Sequence, residues 1–380
     1  MKRSSLLSLC LCLLSLLGAA RASAQPLSRQ AVAPTLAQLL PAWKDSIKQH
    51  YRDAWYQRNL VIERDTMPFW MMYYGDEPAD GYSLFISLHG GGTAPKAIND
   101  QQYANQMRLY APKNSLYFVP RAPYDLWNMW CVPQMDRFYE AIIQMAVAYA
   151  GVNPDRVYIM GFSAGGDGVW RMAPRMADSW AAAAMMAGHP GDVSLHNLRN
   201  LPFTIWCGAN DGAYDRNRLN AERGLELDSF QRADPAGYVH TTHIVPDKGH
   251  WMDRVDTAAV GWMQRYTRHP YPATVVWRQE EVVRPSFYWI TAPSDQLVRG
   301  HTVRLSVRNN VIRITECDYR SLTFSLNDEI VNLDRPVKVV YRGRTVWKGR
   351  LTRSADTLRR TLYERNDPRY AFPAQLTVQL

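Results

Sequence analysis

The run RVYIMGFSAGGDG (residues 156–168) sets a single serine between an apolar segment and an amphipathic one, with a glycine two positions to either side. RVYIM reads as a buried strand and DGVWRMAPRMADSW (residues 167–180) as a helix, so the serine falls at their junction. A serine there must occupy a tight, strained turn, and Gly161 and Gly165 leave room for the crowded backbone to pass. The turn lifts the Ser163 hydroxyl clear of the sheet. The first backbone amides of the helix, which have no partner within it, can point at an anion developing beside that hydroxyl. These features together favour a nucleophile over a purely structural turn.

Outward from this point, short apolar runs alternate with amphipathic stretches from Leu60 onward, the mark of βα units. Strands are expected at LVIER, FWMMYYG, YSLFISLHG, SLYFVP, RVYIMGFS, AAAAMMAG, LPFTIWCG and HTTHIVPD. Helical periodicity is seen at residues 36–56, in FYEAIIQMAVAYAG (138–151), in residues 167–180 and in DTAAVGWMQRYT (256–267). Continuous apolar strands of this kind are buried on both faces, as in a parallel sheet covered by helices.

A serine hydroxyl is a weak nucleophile at neutral pH, so it needs a general base and a group to orient that base. The chain supplies them in the order acid, then histidine: IWCGAND ends at Asp211 and HTTHIVPDKGH at His250, each just beyond a strand. Asp215 is the alternative acid, and His189, at another strand end in MAGHPGD, is a minor candidate for the base or for substrate contact. His240 and His243 lie within a strand as packed or solvent-facing residues, and Asp247 and Asp253 hydrate the His250 loop. In ISLHGGGT a strand ends at Leu88 and bare backbone follows, which gives a second oxyanion donor: the amide of Gly91, with Gly92 as alternate, is paired with that of Ala164. His89 braces this loop.

The chain has 380 residues, 47% of them apolar, enough for a full core and two domains. Lys2 and Arg3 precede an apolar run, and RASA offers a cleavage site after Ala24, so residues 1–24 read as a secretory signal peptide whose apolar run is too short to span a membrane. Export to the periplasm or the medium is expected, with no integral membrane span after cleavage. Cleavage removes three of the 44 basic residues and no acidic one, leaving a net charge of +6 with no dense basic run and no nucleic-acid footprint. The three remaining cysteines, Cys131, Cys207 and Cys317, support neither a disulfide framework nor a zinc site and are expected as mostly buried thiols. Neither a metal nor an organic cofactor is called for.

Residues 25–59 read as a helical segment, 60–270 as the catalytic unit and 271–380 as a small β-sandwich-like domain. Its alternating strands are TVRLSVR, NVIRIT, LTFSL, VKVVYRG, TVWKGRL and AQLTVQL, with turns at Asn309-Asn310 and Arg342-Gly343 and a helix at ADTLRRTLYER. Its aromatics Phe287, Tyr288, Trp289, Tyr341 and Trp347 are expected in its core, the alternative being a sugar-binding platform.

Over residues 60–266 the sequence resembles the α/β-hydrolase superfamily: a mostly parallel sheet flanked by helices. LHGGGT, DLWNMWCVP and VNPDRVYIMGFSAGG are similar to the secreted esterases that include polyhydroxyalkanoate depolymerases and feruloyl esterases, and also to prolyl-oligopeptidase-type catalytic domains. The chain departs from the depolymerases in lacking a cysteine framework, and from prolyl oligopeptidases in offering no propeller ahead of the hydrolase domain. The resemblance implies acyl transfer by Ser163, His250 and Asp211 on a small or polymer-linked ester, and sets Trp127 and Trp130 near the site as substrate contacts or core. The short connection GHPGDVSLHNLRN leaves little material for a lid, so an open cleft is expected. A peptidase or amidase with the same triad, or a polysaccharide- or envelope-binding protein that has lost its chemistry, are the alternatives.

Overall fold

The computed structural model describes residues 26–380, so the signal-peptide reading of residues 1–24, with Cys10 and Cys12, lies outside the described residues. The chain begins with α1 (Arg29–His50), capped by the Ser28 hydroxyl accepting from the Ala31 amide at 3.2 Å, and α2 (Arg52–Gln57). The single helical pattern read over residues 36–56 is thus two helices, parted at Tyr51. Next come β1 (Asn59–Ile62), β2 (Asp65–Tyr74), β3 (Tyr82–Leu88), α3 (Lys96–Gln106), β4 (Ser115–Pro120), α4 (Met135–Tyr149), β5 (Val152–Phe162), α5 (Ala164–Arg175), β6 (Ala182–Met186), β7 (Phe203–Gly208), α6 (Arg216–Ala233), β8 (His240–Val245) and α7 (Ala258–Met263).

These strands form one eight-stranded sheet in the order β1-β2-β4-β3-β5-β6-β7-β8. The pairs from β4 through β8 are parallel, whereas β1 and β2 join antiparallel at one edge. The central strands are buried on both faces: Leu84, Phe85, Ile86 and Leu88 of β3 and Val157, Ile159 and Met160 of β5 have no accessible surface. At roughly 1.5–3 kcal/mol per large apolar side chain, this core is what fixes the register of the strands that carry the site.

Two helices were not anticipated, α3 and α6. In α6 only Asn220, Gly224 and Leu227 are buried, so there is no apolar stripe to read. In contrast α4 buries ten of its residues and is plain in the sequence.

Beyond α7 the chain forms β9 (Thr274–Arg278), β10 (Ser286–Phe287), β11 (Ile290–Thr291), β12 (Thr302–Arg308), β13 (Val311–Cys317), β14 (Ser321–Leu326), β15 (Val337–Tyr341), β16 (Arg344–Gly349), α8 (Ala355–Arg365) and β17 (Ala374–Gln379). They make a five-stranded sheet, β16-β15-β13-β12-β9, and a four-stranded one, β10-β11-β14-β17. Asn309-Asn310 and Arg342-Gly343 each place two successive residues at positive φ, the geometry of a tight hairpin. Phe287, Tyr288 and Trp289 are buried, and Tyr341 and Trp347 pack against the core, so these five rings form no exposed platform.

Polar contacts tie this part to the main sheet and its helices. Arg284 reaches Asp136 and Glu140 of α4 at 2.7 Å each, and the buried Arg268 meets Asp155 at 2.9 Å and Asp367 at 2.8 Å. Cys131 and Cys207 are buried and Cys317 partly so, and burial pushes all three thiols up to about 11. Among the described residues no helix is long and apolar enough to cross a membrane, and no group of three or more His, Cys, Asp or Glu side chains could hold a metal ion.

Candidate active site

Ser163 lies between β5 and α5 with φ 58° and ψ −121°, a conformation that costs a non-glycine residue on the order of 1–3 kcal/mol. Two backbone hydrogen bonds hold it there, Ser163 N–H to the Met186 carbonyl at 2.9 Å and Asp167 N–H to the Ser163 carbonyl at 3.0 Å. The flanking glycines are required by close approach. A Cβ on Gly161 would lie 2.3 Å from the Gly165 carbonyl oxygen, and one on Gly165 would lie 2.1 Å from that of Leu88.

The histidine and the acid come from the loops after β8 and β7, which are tied together by the Asn210 amide donating to the Lys248 carbonyl at 2.8 Å. Asp211 Oδ2 accepts from His250 Nδ1 at 2.9 Å, and His250 Nε2 lies 2.9 Å from Ser163 Oγ. An ionised carboxylate only accepts, so the imidazole proton sits on Nδ1 and the Nε2 lone pair faces the serine hydroxyl. The Asp211 side chain is 1% exposed, whereas that of Asp215 is 66% exposed and paired with Arg218 at 3.1 Å, away from the histidine. Of the two acids, Asp211 is therefore the one brought to His250.

Gly91 and Ala164 line one cleft with Ser163. The alternate donor Gly92 is already engaged: its amide donates to Asn99 Oδ1 at 2.9 Å, while Asn99 Nδ2 donates to the carbonyls of Gly92 at 3.0 Å and Ala94 at 3.1 Å. Asn99 is fully buried and pins the loop from inside. Gly91, at φ +113°, has the Asn99 amide where a Cβ would be, 2.0 Å away, and among the described residues its own amide has no protein acceptor. His89 is buried beneath, Nδ1–H donating to the Gly90 carbonyl at 2.6 Å and Nε2 accepting from the Ala122 amide at 3.1 Å. Burial lowers its pKa to about 4, so it is a neutral brace.

The two tryptophans separate. Trp127 is 59% exposed and lines the cleft, but Trp130 is 1% exposed, packed where Gly168 has no side chain and donating to the His89 carbonyl at 2.9 Å. The expectation that Trp130 contacts substrate is thus corrected: it is a core residue. His189 also lines the cleft, its amide donating to Asp167 Oδ1 at 2.6 Å, but it is not the partner of the serine. His240 pairs with Asp228 at 3.1 Å and His243 stacks on Trp206 at 3.9 Å.

The cleft has a volume of about 340 Å³, and besides the residues above its walls include Asp167, Arg171, Tyr214 and Arg216. None of these four was singled out in the sequence, nor was Asn99. For Asp167 and Arg171 a signal existed: with Ser163 they are spaced four apart, so they share one face of α5.

No protein-family model matches the sequence, and no curated protein does either. Among solved structures the chain is similar to a thermostable esterase at 16% identity and a TM-score of 0.43, over 55% of this chain and 62% of that one. It is also similar to an acetyl xylan esterase from Aspergillus awamori (12% identity, TM-score 0.38, 52% and 93% covered) and to a fluorophosphonate-binding serine hydrolase of Staphylococcus aureus (14%, 0.35, 54% and 96%). The mostly parallel sheet flanked by helices, with a strand-turn-helix elbow after β5, is itself an α/β-hydrolase fold to which two further, mostly antiparallel sheets are added.

Proposed function

We propose that this protein is an exported serine hydrolase that cleaves carboxylic esters through an acyl-enzyme. The observation that carries the reading is the continuous chain from Asp211 through His250 to Ser163, at 2.9 Å and 2.9 Å, beside two backbone amides free to receive an oxyanion. In this reading His250 Nε2 takes the Ser163 proton as Oγ attacks the ester carbonyl, and Asp211 holds the tautomer and offsets the imidazolium charge. The amides of Gly91 and Ala164 stabilise the oxyanion, which forms only as the reaction proceeds and so draws on donors already in place. Collapse expels the alcohol, protonated by His250. Water then adds by the same route and releases the acid, so one water is consumed per ester cleaved. An open cleft bordered by the exposed Trp127 suits a bulky or polymer-linked ester.

Labelling with a fluorophosphonate probe tests this, with the adduct mapped by peptide mass spectrometry in the wild type and in Ser163→Ala and His250→Ala. Labelling at Ser163 that both substitutions abolish supports it, and a folded protein that takes no label refutes it. Comparing p-nitrophenyl esters with aminoacyl anilides then separates an esterase from a peptidase.

A further inference from the structure

The cleft beside Ser163 holds two guanidinium groups, and neither is well satisfied by the protein. Arg216 is nearly buried, with a side chain 12% exposed, yet its Nη1 is 3.8 Å from Asp211 Oδ1 and 3.4 Å from the Ala213 carbonyl, and its buried Nε has no hydrogen-bond partner among the described residues. Among the described residues Arg171 makes only long polar contacts, 3.5 Å to Asp192 and 3.3 Å to Glu281. Both carboxylates are 66% exposed, and Asp192 is held more closely by Arg299, at 2.7 Å. A buried donor without a partner costs free energy, so a guanidinium that lines the cleft with its Nε unpartnered, beside a second one held only at long distance, is suited to a ligand that completes the pair.

Each guanidinium also rests on an aromatic ring of the cleft wall, Arg171 over Trp127 at 5.6 Å and Arg216 over Tyr214 at 4.9 Å. Such stacking restrains the side chain and leaves its in-plane N–H groups free to donate. Tyr214 is presented by a strained turn in which it and Asp215 both have φ 56°. Facing the two cations within the cleft is one carboxylate, Asp167. Burial raises its pKa, and one of its oxygens already accepts from the His189 amide. Both arginines are close enough to His189 to oppose its protonation, although burial is the larger cause of its lowered pKa, so the two groups converge on one region. Asp211 turns its Oδ2 to His250 and keeps its Oδ1 3.8 Å from Arg216. The cleft walls themselves carry two guanidiniums against one carboxylate.

We infer that Arg171 and Arg216 form an anion-recognition subsite and that the ester this enzyme cleaves carries a carboxylate, held by the two guanidiniums while Ser163 attacks the ester carbonyl. This rests on the serine-hydrolase reading and adds the substrate class to it. The carboxylate takes no part in bond changes; it anchors the substrate. A guanidinium pair reads a planar carboxylate through charge-assisted hydrogen bonds, which contribute more than neutral ones. The anchored carboxylate can stand on either side of the scissile bond.

The test compares kcat/KM for two matched pairs of esters: mono-p-nitrophenyl glutarate against p-nitrophenyl pentanoate, with the carboxylate on the acyl side, and 3-carboxyphenyl butanoate against phenyl butanoate, with it on the alcohol side. The expected result is a preference of at least about tenfold for the charged member of one pair, decreasing as salt is added. Arg171→Gln and Arg216→Gln each reduce that ratio by about tenfold, and Arg171→Lys restores part of it. Because the ratio is read, a general loss from the proximity of Arg216 to Asp211 cancels. Which pair responds assigns the side. No preference in either pair, with Ser163 still labelled by the fluorophosphonate, overturns the subsite and leaves the hydrolase reading intact. If no ester is cleaved and no label taken, calorimetric titration of glutarate and of 3-hydroxybenzoate into Ser163→Ala protein decides the subsite alone: binding lost in Arg171→Gln supports it, and absence of binding overturns it.

Discussion

Asn99→Ala should slow the enzyme far more than it unfolds it. Asn99 makes no contact with Ser163 or His250; it acts through three hydrogen bonds, to the Gly92 amide and to the carbonyls of Gly92 and Ala94. Truncation leaves the buried Gly92 amide without an acceptor and its carbonyl with the Ala94 amide alone, about 1–3 kcal/mol of stability, within the roughly 5–15 kcal/mol that holds a folded domain together. The consequence for rate is larger. With Asn99 gone, Gly91 loses the side chain packed against it that holds it at φ +113°, and a misplaced oxyanion donor costs about 10²–10³ in kcat. Because the oxyanion exists only beyond the ground state, KM should change little. Steady-state hydrolysis of p-nitrophenyl butyrate measures both constants, and a thermal melt confirms folding. A variant whose kcat stays within about threefold of wild type while KM rises would refute the argument, since Asn99 would then shape substrate binding and not the oxyanion site.

Asp211→Asn should lower kcat by about 10³–10⁴ by removing the acceptor that fixes the His250 tautomer, whereas Asp215→Asn, on an exposed residue paired only with Arg218, should change it less than about twofold; equal effects would return Asp215 to contention. His89, with a pKa lowered to about 4 by burial, binds its proton less readily folded than unfolded. Its contribution is therefore complete above about pH 6.5 and is lost as pH falls from there toward 4, about 3 kcal/mol in all, so His89→Gln should flatten urea-derived stability across that interval. An unchanged slope in the variant would show that other groups set the acid limb. Arg268→Met should cost about 3–5 kcal/mol in the same assay, because it leaves Asp367 without its cation and Asp155 with Arg369 alone, and a loss under about 1 kcal/mol would show that Arg369 and water already compensate those carboxylates.

What the sequence made legible was local. Ser163 is announced by its own neighbours, because a strand, a strained turn and a helix within thirteen residues leave one geometry, and the glycines that geometry demands are in place. Asp211 and His250 could be found because parallel strands deliver their C-terminal loops to one edge, so strand ends in the right order suffice. Trp127 and Trp130 show where such reasoning stops. Three positions apart, they take opposite fates because two successive turns, Met129 N–H to the Leu126 carbonyl and Cys131 N–H to the Asn128 carbonyl, rotate one ring inward against Gly168 and leave the other over the cleft. No periodicity records that. Asn99 was invisible for a similar reason: it lies on a helix with little apolar pattern, and its value depends on a glycine loop reached only through the fold.

The same contrast explains why the C-terminal sheets could be foreseen as strands but not as neighbours of the site. Helix α5 begins at Ser163, and at its other end Arg175 pairs with Asp136 at 2.8 Å, which in turn receives Arg284 from the segment after β9. Just past the helix, the carboxylate of the buried Asp178 accepts from the Tyr288 amide at 3.1 Å and from Arg365 at 2.8 Å. Midway along it, Arg171 touches Glu281. The helix whose first turn carries the proposed oxyanion amide is thus braced by groups from residues 281–365, through Asp136 and Asp178 at its far end and at Arg171 midway, and the proposed anion subsite shares the last of these. A strained elbow persists only where its surroundings over-determine it. Here part of that determination comes from chain more than a hundred residues downstream, which places the β-rich segment among the supports of the nucleophile and not among its appendages.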